Sequence, residues 1–299
     1  MSTQPSQPTK IGELGVWAWL DSLSSPDAAE FAHTIESWGY SALWIPEAVG
    51  RDPFTFLGYL ASQTERLVLA TGIANIYARD AMAMNAVRQT LSEIAPGRFV
   101  LGLGVSHEVM VSGLRGHDYG RPVSTMREYL EAMGKAPYAG FPAAEEAPIV
   151  LAALREKMLG LAAERTRGAH PFAVTPEHTR RAREIMGPDA WLCPHQKVLL
   201  ETDPSRAREI GRKSLAVHLT LPNYRSSWLQ QGFDESDFQD GGSDRLVDGM
   251  VAWGDEKAMA DRVQAHRDAG ATHVCIDPLD PSGGTTPDRR ALEALAPGR

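Results

Sequence analysis

The sequence predicts an α/β protein closed as a (β/α)8 TIM barrel with additional loop and helical insertions. Three observations carry that prediction: a length of 299 residues, eight short apolar runs alternating with helical patterns, and polar side chains clustered just after those runs. A barrel of this kind takes about 250 residues, and its parallel strands read as near-continuous apolar runs because helices and interior cover both faces.

The elements follow in chain order. "GELGVWAWL" reads as the first strand, and "SPDAAEFAHTIESWGY" continues with apolar residues at helical spacing, Ser25 as N-cap and Gly39 at the stop. "SALWIP" precedes a helix over 53–64, "RLVLATGI" precedes one over 81–94, and "RFVLGLGV" leads to one over 125–136. "APIVLAA", "GAHPFAV", "AWLCPHQKVLL" and "ATHVCIDPL" supply the remaining four strands. Two stretches exceed an ordinary β-α connection: 105–124, and 216–253, which holds "LPNYRSSWLQQGF" and a further helical pattern. No internal repeat, low-complexity tract or Gly/Ser linker divides the chain, so residues 11–299 read as one domain behind a polar, disordered tail over 1–10.

Composition narrows the function classes. A hydrophobic share of 43% without any uninterrupted apolar stretch of the roughly 20 residues a bilayer demands excludes a membrane span by helix. The tail has no apolar segment behind it of the signal-peptide kind, so a cytoplasmic location is expected. A formal net charge of -8 argues against nucleic acid as a partner, because that binding needs a basic surface. Cys193 and Cys275 stand far apart among apolar residues and read as inert core thiols.

In a parallel barrel the strand C-termini converge on one face, where ligands bind. That face receives Trp17 and Trp19 after the first strand, Glu47 after the second, Asn75 and Arg79 after the third, and Ser106 and His107 after the fourth. Such a rim can seat a flat aromatic cofactor while a few polar groups fix its edges. No H-x-H follows the first strand and no H-E-x-x-H occurs, so the metal-hydrolase reading has no ligand set. "GLGVSH" lacks the third glycine of a dinucleotide fingerprint; Gly102 fits a crowded barrel interior, while Gly104 and Ser106 lie nearer the rim.

The blocks "GVWAW", "LWIPEAVG", "LATGIANIYARDA", "GRFVLGLGVSHE", "MLGLAAERTRGAHPFAVTPEHT" and "LPNYRSSWLQQGF", in that order between about residues 11 and 279, resemble the luciferase-like monooxygenase superfamily. The resemblance is to its branch of oxidoreductases dependent on the deazaflavin coenzyme F420. It implies a barrel whose rim binds F420, or FMN in other branches, and exchanges a hydride with a small organic substrate. It further implies a bulge in the third strand that backs the ring, with a non-prolyl cis bond matching Gly72–Ile73. Trp19, Gly72, Ile73, Asn75, Arg79, Gly104 and Ser106 are the implied contacts to the ring.

Glu47 matches an acidic residue near the reactive ring and His107 a position that is a carboxylate in a sugar-phosphate dehydrogenase of the family; both are the implied proton donors or acceptors, with a helix-dipole or salt-bridge partner and a backbone-bonded loop histidine as their structural alternatives. Ala48 departs from the histidine of the sugar-phosphate dehydrogenases in the family, which weighs against that reaction. The anionic tail of the cofactor is implied to lie on Ala153, Leu154 and Arg155 after the fifth strand and on Gly168 and Ala169 in the sixth, although Arg155-Glu156 replaces the usual Gly-Pro. Tyr224 and Arg225 are candidates for shaping the substrate pocket, Trp228 is expected to pack, and Met82 and Met84 read as core or dimer contacts. A homodimer through the helices after strands two and three is implied as well. An FMN-dependent monooxygenase and a non-catalytic cofactor-binding barrel are the alternative readings, and no motif names the substrate.

Overall fold

A computed structural model describes residues 9–298. Most of the expected N-terminal tail therefore lies outside the described residues; of the remainder, Thr9 is buried. The strands are β1 (Leu14–Trp17), β2 (Ala42–Ile45), β3 (Val68–Thr71), β4 (Ala74–Asn75), β5 (Phe99–Gly104), β6 (Ile149–Leu151), β7 (Gly168–Ala169), β8 (Trp191–Leu192), β9 (His195–Leu200), β10 (Val251–Gly254) and β11 (Val274–Pro278). All pair in parallel, in the order β10-β9-β11-β1-β2-β3-β5-β6-β7-β8, with β4 on β5.

That order closes into a ring. β8 and β9 are successive pieces of one extended run broken at Cys193-Pro194; the first pairs with β7 and the second with β11. The Cys193 N–H donates to Ala169 O at 2.9 Å, and the Cys275 N–H donates to Pro194 O at 2.9 Å, so hydrogen bonds continue across the seam. β3 and β4 are likewise one run interrupted by a bulge. The eight apolar runs read from the sequence are thus the eight staves of the barrel. β10 is an addition outside it, paired with the end of β9 through Val251 and Lys197. It escapes a pattern reading because its four residues directly follow the helix Asp244–Met250 inside a longer apolar-polar alternation.

Strand side chains alternate between two cores. Trp17, Ala42, Trp44, Val68, Ala70, Val100, Val150, Cys193 and Cys275 fill the interior, while Val16, Leu43, Leu69, Leu101, Leu151 and Ile276 face the helices. Both thiols are fully buried, and burial pushes Cys193 up to about 12, consistent with inert core residues.

The helix boundaries agree with the sequence pattern in the interior and differ at the ends. Ser24, not Ser25, caps the helix Ser25–Ser37: its side chain accepts the Asp27 N–H, the three-residue spacing a cap requires. Gly39 follows at φ 88°. The second helix ends early, at Ala61, and the fourth starts early, at Pro122, whose fixed φ suits a first turn. The helix Ala81–Ile94 lies where expected, capped by Asp80. The "GAHPFAV" run is a strand only over Gly168–Ala169. The long stretch 105–124 contains a π-helical turn, Val109–Leu114, and the later insertion contains Pro222–Gln230 and Asp244–Met250 around their own apolar cluster. Trp228 is fully buried there and donates from Nε1 to Ala173 O at 3.0 Å, the packing role expected of it. Met84 is core, whereas Met82 is 57% exposed.

Candidate active site

The bulge between β3 and β4 organises one side of the barrel mouth. The Gly72–Ile73 peptide bond is cis, as the resemblance implies. Gly72 N–H donates to Ile45 O at 2.7 Å, and Trp17 Nε1 donates to Gly72 O at 2.7 Å. A Cβ on Gly72 would stand 2.9 Å from Trp17 Nε1, so the indole and the bare backbone fit only one another. Opposite, a Cβ on Gly104 would come within 2.4 Å of Ile73 Cδ1. Trp17 and Ile73 therefore lie directly on bare backbone, and the Ile73 side chain with the backbone of Gly72 and Gly104 is the candidate seat for a planar ring. Gly102 serves the ladder instead, since a Cβ there would meet Thr71 O at 1.9 Å.

Glu47 braces the bulge at three points. Its N–H donates to Ile73 O at 3.1 Å, its Oε2 accepts the Asn75 N–H at 2.8 Å, and its Oε1 accepts from Arg79 Nη1 at 2.6 Å. Arg79 also bonds Asp52, rests over the Phe54 ring at 4.6 Å, and its carbonyl accepts the Tyr129 hydroxyl at 2.9 Å. Asn75 is buried and turns its own Oδ1 back to the Tyr77 N–H at 3.0 Å. Both Glu47 oxygens are therefore engaged in holding the backbone of β4 and the guanidinium. Asn75 and Arg79, the polar residues at the end of this apolar run, thus anchor the bulge to the end of β2.

At the end of β5 the chain turns through Ser106, a non-glycine residue at φ 55°, whose carbonyl accepts the Tyr119 hydroxyl at 3.1 Å. The turn delivers His107 to Asn223, with Nδ1 and Oδ1 3.0 Å apart, and toward the Tyr224 ring. Because an amide oxygen only accepts, Nδ1 carries the proton and Nε2 is the basic nitrogen. Burial lowers the pKa of His107 from the ordinary histidine value despite the Asn223 bond, so the ring is neutral at pH 7.

Sequence reasoning missed the groups on the far side of the mouth. Lys197 Nζ donates to Asp277 Oδ2 at 2.8 Å, and His195 Nε2 lies 3.2 Å from the same oxygen. Phe172 stacks on His195 at 3.6 Å between ring centroids and meets Trp17 edge-on at 5.3 Å. His218 and Tyr224, from the insertion, pack over Phe172. Burial pushes His195 down to about 4 although Asp277 opposes it, and His218 down to about 3 with Lys197 adding to the effect. Burial alone would raise Asp277, but Lys197 and His195 beside it outweigh that and hold it well below the usual carboxylate range. One signal was available: the two-residue period places His195 and Lys197 on the face of Cys193, so "CPHQK" sends charge into the barrel.

The remaining candidates are distributed around the same face. Trp19 is half-buried against the interior cluster. Among the described residues, the backbone N–H groups of Ala153, Leu154 and Arg155 donate to no protein acceptor, and they precede the helix Glu156–Arg165. Gly168 and Ala169 are buried within the ladder; a Cβ on Gly168 would meet Trp191 O at 1.9 Å, so strand packing itself demands that glycine. Arg225 is drawn away to Glu235 and lies over Phe238. A recess of about 590 Å³ opens to one side, between the ends of β9 and β11, lined by Leu200, Arg206, Asp280 and Asp288 among others. It is separate from the Gly72–Gly104 seat, which belongs to β3 and β5.

The luciferase-like monooxygenase family profile matches residues 14–273. A Mycobacterium tuberculosis protein provisionally named a coenzyme F420-dependent oxidoreductase is 32% identical over 123 residues, 41% of this chain and 35% of that protein. The match thus spans about a third of that relative's length. Among solved structures, the coenzyme F420-dependent tetrahydromethanopterin reductase of Methanopyrus kandleri superimposes with a TM-score of 0.73 at 17% identity, covering 97% of this chain and 98% of that one. The oxygenating constituent of 3,6-diketocamphane monooxygenase from Pseudomonas putida, in complex with FMN, gives 0.72 at 17% identity, covering 96% and 97%. At such identities the two superpositions speak for the fold.

Proposed function

The chain belongs to the luciferase-like monooxygenase family, and from that premise we propose that it is a coenzyme F420-dependent oxidoreductase exchanging a hydride with a small organic substrate at the barrel mouth. The observation that carries this reading is the seat of Gly72, Ile73 and Gly104, where Trp17 lies on Gly72 and Ile73 on Gly104 so closely that neither glycine has room for a Cβ. A planar ring fits such a surface through dispersion and exclusion of water. When bound, F420 supplies a carbon centre that gives or takes hydride.

The residues of the chain divide the other tasks. Glu47, through Asn75 and Arg79, keeps the seat in place and excludes rearrangement of the bulge. His107 offers Nε2 as the proton acceptor, with Asn223 fixing the tautomer. The N–H groups of Ala153, Leu154 and Arg155, at the start of a ten-residue helix, suit the anionic tail, and Arg155 adds a positive charge there. Glu156 in the first turn subtracts from that attraction. No helix among the described residues is long and apolar enough to cross a membrane, in keeping with the cytoplasmic enzyme we propose. For the assembly, exposed Met82, Ile94 and Tyr59 on the helices after the second and third staves favour a homodimer through that face.

FMN is the second candidate cofactor, favoured by the likeness to an FMN-bound monooxygenase. Titrating the purified protein with F420 and, separately, with FMN, following fluorescence and melting temperature, tests the reading. Saturable binding of F420 and not FMN is the expected result. Binding of FMN alone moves the chain to oxygen-activating chemistry, and binding of neither leaves a barrel that has lost its cofactor.

A further inference from the structure

Lys197 and Asp277 are register partners on adjacent parallel strands, and their side chains are 7% and 12% exposed. An ion pair this deep is a poor means of stabilising a barrel, because the desolvation of both charges offsets their attraction and apolar residues of similar volume do as well or better. Its position is informative. Both residues face the interior, Lys197 midway along β9 and Asp277 one residue before the end of β11, beside Phe172, whose ring centroid lies 5.8 Å from Lys197 Nζ.

The pair retains hydrogen-bonding capacity. An ammonium has three N–H bonds, and among the described residues Lys197 donates only to Asp277 Oδ2. That same oxygen also takes the His195 bond, so Oδ1 of Asp277 accepts from no protein group among the described residues. A free donor and a free acceptor thus stand side by side next to Phe172, which in turn contacts the rings of Trp17 and Tyr224. The charge balance is equally specific. Lys197 and Asp277 cancel, and the imidazoles that face them, His195 and His218, are kept neutral by burial. His107 and the Tyr224 hydroxyl, which also lie near His218, are neutral as well.

We propose that Lys197 and Asp277 form the binding site for a neutral substrate oxygen, a carbonyl or hydroxyl on an otherwise apolar molecule, and that the pair selects against carboxylates and phosphates. This rests on the reading of the mouth as an oxidoreductase site. A hydroxyl uses both free groups, accepting from Lys197 and donating to Asp277, and a carbonyl uses the first. An anion gains no net positive charge and meets the Asp277 carboxylate directly, a repulsion that a dry site magnifies.

Benzyl alcohol and benzoate, close in size and differing in charge, are suitable probes, and ligand-observed NMR on the full-length protein with and without F420 reads their binding independently of turnover. The unsubstituted protein is expected to bind benzyl alcohol in preference to benzoate by at least about tenfold, the size of one charge-assisted hydrogen bond. Asp277→Asn leaves Lys197 uncompensated and should reverse that preference. Lys197→Met alone strands a buried carboxylate and can fail to fold, so the double variant Lys197→Met with Asp277→Leu provides the control: it should keep its melting temperature and F420 affinity and lose the alcohol. Equal binding of both probes, binding of neither, or an unchanged alcohol affinity in the double variant overturns the proposal. Failure of F420 to bind while the alcohol preference persists would instead sink the oxidoreductase reading and leave the oxygen site standing.

Discussion

Oε2 of Glu47 accepts the backbone N–H of Asn75 at 2.8 Å, tying the end of β2 to the far side of the bulge in β3. The other oxygen of the same carboxylate is held by Arg79 at 2.6 Å, so one side chain links two staves and a loop.

Removing the cation should be worse than neutralising the anion. Glu47 is only 7% exposed, and Arg79→Met would leave its carboxylate buried without a counter-charge, at a cost of about 3 kcal/mol. Glu47→Gln keeps an acceptor for Asn75 and should cost about 1–2 kcal/mol. Urea unfolding of both variants measures the difference, and equal losses would show that the pairing does not brace the bulge.

The two glycines of β5 should respond differently to alanine. Gly102→Ala drives a methyl group into the Thr71 carbonyl, a backbone atom that cannot step aside, and should destabilise by about 3 kcal/mol or more. Gly104→Ala meets the tip of the Ile73 side chain, which can shift. It should fold, with a smaller loss in thermal stability, and bind F420 about tenfold more weakly because Ile73 is pushed into the seat. Calorimetry together with a fluorescence titration separates the two effects; intact cofactor affinity in Gly104→Ala would remove β5 from the ring site.

Acid should unfold the protein through its buried histidines. Burial pushes His170, His218 and His266 down to about 3 and His195 and His273 to about 4, whereas unfolded histidine titrates near 6.5. A folded value below the unfolded one means that the unfolded chain takes up protons first as the pH falls. The stability these groups contribute is therefore complete above pH ~6.5 and declines progressively toward pH ~4, by up to about 1.4 kcal/mol per pH unit for each histidine. Unfolding curves at pH 7.5, 6 and 5 should show that decline; a flat profile would mean that the imidazoles are solvated.

The eight staves were legible because each is covered on both faces, which writes a run such as "RFVLGLGV" into the chain whatever its neighbours. The seat was legible only in part. Gly72 and Gly104 stood out by resemblance, but the reason both must be glycine, Trp17 on one side and Ile73 on the other, depends on side chains brought together from three strands. Glu47 was visible as an acidic residue at a strand end, and its engagement by Asn75 and Arg79 was not, because those residues lie about 30 positions further on. Ser24 and Ser25 are chemically identical caps, and only the Asp27 bond chooses between them.

By itself the sequence determined the barrel, its order of strands and helices, and the face on which polar groups gather, since these follow from short-range periodicity and from the burial that each strand requires. Tertiary structure alone decided that the run 190–200 breaks at Cys193-Pro194 to close the ring, that β10 pairs with the end of β9 outside it, and that Lys197 meets Asp277. The physical reason is register. Which residues of strands distant in sequence stand opposite one another is set by how those strands pair, and no local pattern in either strand carries that information.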